Sequence, residues 1–153
     1  MSESPNKVAN QYATFCVANH FLGIDVLEVQ EVLRGQSMTR VPLAPTVVEG
    51  LINLRGQIVP ALDMRQVLGL PARAADREAV SVVVRSAQGP VSLQVDDIED
   101  VIELEAGSFE PPPPNIAGDL RALFSGVHKL AGRLLLVLDT ARTVQAGISN
   151  ERS

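Results

Sequence analysis

Gly50-Leu-Ile-Asn-Leu-Arg-Gly-Gln-Ile-Val-Pro-Ala-Leu-Asp63 sets two apolar runs on either side of an Arg55-Gly56 pair. That is the pattern of a β-hairpin closed by a tight turn. The pattern returns, without a gap, at Gly126-Val-His-Lys-Leu-Ala-Gly-Arg-Leu-Leu-Leu-Val-Leu-Asp139. Gly50 falls on Gly126, Leu54 on Leu130, Gly56 on Gly132 and Leu62-Asp63 on Leu138-Asp139. Arg55 falls on Ala131. If Ala-Gly turns the second hairpin, folding does not ask for an arginine in the first. Arg55 is therefore a candidate for binding at an exposed tip. The competing reading is a solvated turn residue, because exposed arginines contribute little to stability.

Outward from the hairpins the similarity continues. Val95-Asp-Asp-Ile-Glu-Asp-Val-Ile-Glu-Leu104 parallels Ile24-Asp-Val-Leu-Glu-Val-Gln-Glu-Val-Leu33. Setting Leu22, Asp25 and Glu28 on Leu93, Asp96 and Glu99 requires a two-residue shortening before Glu31-Val32-Leu33 meets Asp100-Val101-Ile102. One order of elements used twice is an internal duplication, with copies at roughly 11–69 and 79–145.

The local signals are those of short strands broken by turns. Tyr12–Val17 and Phe21–Asp25 read as strands joined at Ala18-Asn-His20. Val26, Val29 and Leu33 recur at helical spacing, while Val29–Leu33 also reads as a strand, so a helical turn at 26–28 before a strand fits both signals. Met38–Val41 reads as a strand stopped by Pro42, and Pro45 starts a turn. Asp63 stands where an N-cap belongs, ahead of a short helix Met64–Leu68 ended by Gly69. Leu70–Glu78 reads as a linker, and Ala79–Arg85 with Val91–Val95 as a second-copy hairpin turned at Gly89-Pro90. A terminal helix begins at Thr140. Together these predict an all-β class of small barrels, with a cleft between two related lobes. Residues 1–9 and 146–153 are expected to be tails around one domain, 10–145.

Composition narrows the function. The 153-residue chain carries a net charge of −5 and has four Phe, one Tyr and no Trp. No Lys/Arg stripe or aromatic platform is present, which argues against nucleic acid. No apolar run approaches the ~20 residues of a membrane helix. The polar start does not resemble a signal peptide, so a cytoplasmic location is expected. Cys16 is the single cysteine, so an internal disulfide is impossible. It reads as a small core residue rather than a nucleophile. His20 and His128 have no second ligand at metal spacing, so no metal or other cofactor is expected. Asp96-Asp97-x-Glu99-Asp100 lacks the glycine and terminal glutamate of a calcium loop and reads as a solvated strand face. The Pro111–Pro114 run reads as a stiff spacer. A protein-binding surface remains, with a small-ligand-binding β-barrel as the alternative.

Several of these stretches, taken together, resemble one family. Ile24–Leu33, Pro42-x-x-Pro45, Gly50–Pro60 and Leu62-Asp-Met-Arg65 are similar to the CheW chemotaxis coupling proteins. The similarity runs on through Val95-Asp96, Val101, Pro111-Pro-Pro113, Ile116 and Gly126 to Leu138-Asp139. The resemblance implies two intertwined five-stranded SH3-like β-barrel lobes with short connecting helices and a short C-terminal helix, and no enzymatic activity. It implies a stand-alone adaptor that couples the cytoplasmic tips of methyl-accepting chemoreceptors to the regulatory domain of a CheA-type histidine kinase, within membrane-associated arrays. Carried over residue by residue, the receptor-facing positions are Val29, Glu31, Gly50, Arg55, Gly56 and Val101. Kinase contacts lie on the barrel ends and are not assigned to residues. Similar adaptors also serve chemotaxis-like pathways that control pili or second-messenger output. Ala72–Glu78 and the four-proline run depart from the family pattern without touching these motifs.

Overall fold

A computed structural model describes residues 9–42, 47–74, 77–116 and 118–148. The expected tail residues 1–8 and 149–153, and the turn at Pro45, lie outside them. The first half carries β1 (Ala9–Val17), β2 (His20–Asp25), β3 (Val29–Arg34), β4 (Val48–Leu54), β5 (Gln57–Asp63) and the short helix α1 (Met64–Val67). The second carries β6 (Val80–Val84), β7 (Val91–Val95), β8 (Asp97–Glu105), β9 (Phe109–Glu110), α2 (Gly118–Arg121), β10 (Phe124–Leu130), β11 (Arg133–Leu138) and α3 (Thr140–Ile148). The terminal helix thus runs to Ile148.

Two SH3-like sheets result, ordered β8-β1-β2-β11-β10-β9 and β3-β6-β7-β5-β4. Neither sheet is one copy of the repeat. The β1–β2 hairpin of the first copy pairs with β8 and β11 of the second, and the β6–β7 hairpin of the second pairs with β3 and β5 of the first. Each half lends its first hairpin to the other. The lobes therefore do not coincide with the stretches 11–69 and 79–145.

The strand ladders also correct the register between the copies. Ala61 pairs with Ser92 where its counterpart Val137 pairs with Gly23. Val32 pairs with Val82, which faces Leu93; Val101 pairs with Ala13, which faces Ile24. Both ladders equate Leu93 with Ile24, not with Leu22. The interval from Ile24 to Val32 then equals that from Leu93 to Val101, and the two-residue shortening disappears. Asp25 is equivalent to Gln94, and the apparent match of Asp25 to Asp96 is a coincidence of two acidic strand ends.

Exchange explains why β6 and β7 are buried along their whole length. A strand covered on both faces reads as a near-continuous apolar run. Val80, Val82, Val84, Val91, Leu93 and Val95 face a shared core together with Phe15, Leu22 and Ile24 of the exchanged hairpin. The alternate faces fill smaller private cores. Tyr12, Phe21, Leu135 and Val137 fill one, and Leu54, Val59 and Val83 the other. Burying each such side chain stabilises by about 1.5–3 kcal/mol.

Other local expectations resolve by chemistry. Asp63 Oδ1 accepts from the Arg65 N–H at 3.0 Å and caps α1. Asp25 caps a 3₁₀ turn at Val26–Glu28, where helix and strand signals overlapped. The strand expected at Met38–Val41 is a single bridge, Thr39 to Leu51. Its counterpart in the other sheet is the two-residue β9, which gives that sheet its sixth strand. Cys16 is half-buried rather than enclosed in the core.

Candidate functional site

Arg55 and Gly56 connect β4 to β5, with φ of 51° and 88°. Two positive φ values define a type I′ turn, whose twist matches that of the paired strands. The Gly56 N–H donates to Asn53 Oδ1 at 2.9 Å and fixes the turn. For arginine this backbone conformation costs roughly 1–2 kcal/mol. The second hairpin avoids the cost. Gly132 has φ of 80°, but Ala131 is absent from the positive-φ residues, so that turn needs only its glycine. The turn does not call for Arg55; it works against it.

The Arg55 guanidinium donates to Glu31 on β3. β3 and β4 are the two outer strands of their sheet, so this contact spans its open side. The Arg55 side chain is 69% exposed and Glu31 20%. Glu31 follows a register shift in the β3–β6 ladder, between Val29 and Glu31. Such a bulge re-aims the side chain beside it. An exposed pair of this kind adds about 0–1 kcal/mol.

The other positions carried over from the sequence divide. Gly56 adjoins Arg55 at the tip. Val29 lies two residues before Glu31, half-buried against the shared core. Gly50 is buried, and a Cβ there would come within 2.5 Å of Met38 Cγ and 2.7 Å of the Thr39 carbonyl oxygen. Its glycine is required by the strand bridge that crosses it. Val101 stands in the other sheet, on β8, and is 55% exposed. A 3.4 Å ion pair between Arg34 on β3 and Asp97 on β8 joins the two sheets near these strands. Val32, the counterpart of Val101, is also exposed. So are Ile58, two residues beyond Gly56, and Leu27, in the 3₁₀ turn that Arg85 holds through the Leu27 and Val29 carbonyls. The sequence places Leu27 and Val32 in the apolar-acidic strip Val26–Leu33 and Ile58 on a hairpin face, both expected on the binding surface, without naming any of the three as a contact. An apolar residue immediately after a hairpin tip was the available signal for Ile58.

Away from the hairpin tip the charges are held tightly. Burial works against ionisation of Asp96, but the fork from Arg65 (3.0 and 2.6 Å), the Ala18 N–H and Arg73 overcome it and lower the carboxyl to about 2. Burial, reinforced by Asp63, pushes the Glu49 carboxyl up. His128, the counterpart of Ile52, is fully buried, and burial lowers its pKa. Ser108 Oγ donates to the Glu105 carbonyl at 2.9 Å, so it accepts from His128 Nδ1–H at 2.8 Å. Nε2 then accepts from the Tyr12 hydroxyl at 3.1 Å. The imidazole is a satisfied neutral core residue. Among the described residues no group of His, Cys, Asp and Glu could hold a metal ion, and no helix is long and apolar enough to cross a membrane.

Interlaced SH3-like lobes with a strained, charged hairpin tip and exposed aliphatic side chains on the outer strands define a two-lobed β-barrel interaction domain. Residues 11–147 match the family model described as the CheW-like domain, and the chain belongs to that family of coupling proteins. It is 30% identical over 139 residues to the chemotaxis protein CheW of Klebsiella aerogenes, covering 91% of this chain and 84% of the relative. It is 29% identical over 133 residues to the chemotaxis protein CheW of Bacillus subtilis, covering 87% and 85%. The crystal structure of the scaffolding protein TtCheW from Thermoanaerobacter tengcongensis superposes with a TM-score of 0.81 at 28% identity, covering 89% of this chain and 92% of that one.

Proposed function

We propose that this chain is a non-catalytic adaptor coupling the cytoplasmic tips of chemoreceptors to the regulatory domain of a CheA-type histidine kinase, at membrane-associated arrays. Family membership and the scaffold and chemotaxis names of its relatives support the role. The observation that carries the site is Arg55, a charged residue at a turn that disfavours it, engaged with Glu31 beside exposed Val32 and Ile58. In this reading an apolar receptor tip lies against the aliphatic side chains, and Arg55 exchanges part of its contact with Glu31 for charge-assisted hydrogen bonds to the receptor. Val29, Glu31, Gly56 and Val101 flank that contact, and Gly50 shapes it from beneath.

The test is an Arg55→Glu variant, alone and combined with Glu31→Arg. The expected single variant keeps its circular dichroism spectrum and kinase binding but loses at least ten-fold in receptor affinity. The double variant restores the internal ion pair, and receptor binding stays weak. Recovery in the double variant would make the pair purely structural and sink the assignment of Arg55.

A further inference from the structure

The two halves carry a bulge at the same place. In β3 the extra residue falls between Val29, paired with Val84, and Glu31, paired with Val83. In β8 it falls between Ile98, paired with Phe15, and Val101, paired with Ala13. The equivalence of Val32 with Val101 and of Val82 with Ala13 sets Glu31 on Asp100, Val83 on Thr14 and Arg85 on Cys16. A bulge interrupts the ladder, so its backbone groups need other partners and its direction needs another tie.

The two bulges are tied by different means. In β8 the Thr14 hydroxyl donates to the Asp100 carbonyl. Val83 has no hydroxyl to offer Glu31. Instead, Arg85 Nη1 donates to the Leu27 carbonyl at 2.9 Å and to the Val29 carbonyl at 3.0 Å. The Arg85 N–H donates to the Glu28 carbonyl between them at 3.0 Å. One residue thus holds three consecutive carbonyls, and Asp25 Oδ1 accepts from the Leu27 N–H at 2.9 Å. The chain is pinned right up to the bulge that precedes Glu31. Cys16 takes the place of Arg85 in the other half, and no 3₁₀ turn precedes β8 there, so the fold does not ask for the arginine. Water would serve these exposed carbonyls without the rotamer freedom that an ordered arginine gives up. Water would not hold them at a fixed distance from β6.

We propose that Arg85 is a positioning residue for receptor binding, an inference that rests on the assignment of Arg55 above. It fixes the turn and the bulge so that Glu31 is aimed across the open side of the sheet at the Arg55 guanidinium. The same fork holds the backbone from which Leu27 projects, 79% exposed. A contact surface ordered in advance spares the complex the cost of ordering it on binding. Arg85 acts through Glu31 and not by touching the receptor.

The experiment measures two things in full-chain variants: amide hydrogen exchange of the free protein, and affinity for a soluble cytoplasmic-tip fragment of a chemoreceptor from the same organism. Arg85→Met keeps the aliphatic stem and removes the donors. It is expected to speed exchange at residues 29–32 by about five-fold or more, by freeing the bulge. It should lose about five-fold or more in receptor affinity, with kinase binding unchanged. Both side-chain contacts come from one nitrogen, so a lysine ammonium can replace it, and Arg85→Lys should stay within about two-fold on both readouts. In a Glu31→Gln background no carboxylate remains to be aimed, so adding Arg85→Met should cost less than about two-fold further. An undiminished loss in that background would mean that Arg85 touches the receptor itself, and would overturn the proposal. Affinity lost in Arg55→Glu but kept in Arg85→Met would overturn it alone. Affinity kept in Arg55→Glu would sink the assignment of the tip and this inference with it.

Discussion

Arg55 reaches Glu31 across the open side of its sheet while its own backbone is held in a conformation that glycine and asparagine adopt more easily. Arg55→Asn is expected to raise stability by about 0.5–1 kcal/mol, through relief of the left-handed strain less the small value of an exposed ion pair. Urea denaturation would read this as a higher midpoint with unchanged slope. Receptor affinity should fall in the same variant. A less stable Arg55→Asn protein would show that the ion pair outweighs the strain.

Gly50 and Gly126 occupy matching places where a neighbouring segment crosses the hairpin. A Cβ at Gly126 would come within 2.2 Å of Phe109 Cζ and 2.5 Å of the Glu110 carbonyl oxygen. Each Gly→Ala change should cost about 1–3 kcal/mol by overpacking, read by thermal denaturation. Gly126→Ala should leave receptor binding little changed, whereas Gly50→Ala should also weaken it. Full stability in Gly50→Ala would contradict the crowding.

Asp96 sets an acid limit. Its folded value of about 2 lies below the ordinary carboxylate value of 3.8, so its contribution is complete above pH 4 and is lost as pH falls toward 2. The shift corresponds to about 2 kcal/mol. Asp96→Asn should lose at least that much at pH 7 and show a shallower decline between pH 4 and 2. Parallel pH profiles for the two proteins would assign the acid sensitivity elsewhere.

His128 acts in a different window. Its pKa is lowered on folding, so the unfolded chain takes up the proton first and stability declines as pH falls through about 6.5. Below the folded value the decline levels off. His128→Ile installs the residue of the equivalent position, Ile52. It should cost stability at pH 8 by removing the buried acceptor of the Tyr12 hydroxyl, and should flatten the profile between pH 8 and 5. A profile unchanged by the substitution would remove His128 as its source.

Much of this fold is legible in the chain because hairpins are local. Gly50–Asp63 and Gly126–Asp139 carry their own turn residues and caps, and their repetition exposes the duplication. The tip pair Arg55-Gly56 is visible for the same reason, and the comparison with Ala131 singles out the arginine. The exchange of hairpins leaves no such mark, since Val80–Val84 would read alike beside β3 or beside β8. Register was misjudged where Asp25 and Asp96 offered matching charges, although backbone pairing equates Asp25 with Gln94. Side-chain meetings over long separations, such as Arg55 with Glu31 or Arg65 with Asp96, follow only from the assembled ladders. Gly50 is legible as a glycine shared with Gly126, but the crossing by Met38 and Thr39 that requires it is not.

Because each half completes its sheet with a hairpin from the other, neither could have been inherited alone in its present form. A cut in the 70–78 connection would leave two pieces, each missing the strands its own sheet needs and carrying those the other needs. The interlacing makes the pair a single unit of descent. One half, like the tip that bears Arg55, can acquire a new surface while its twin does not, provided both go on lending the strands that hold the other together.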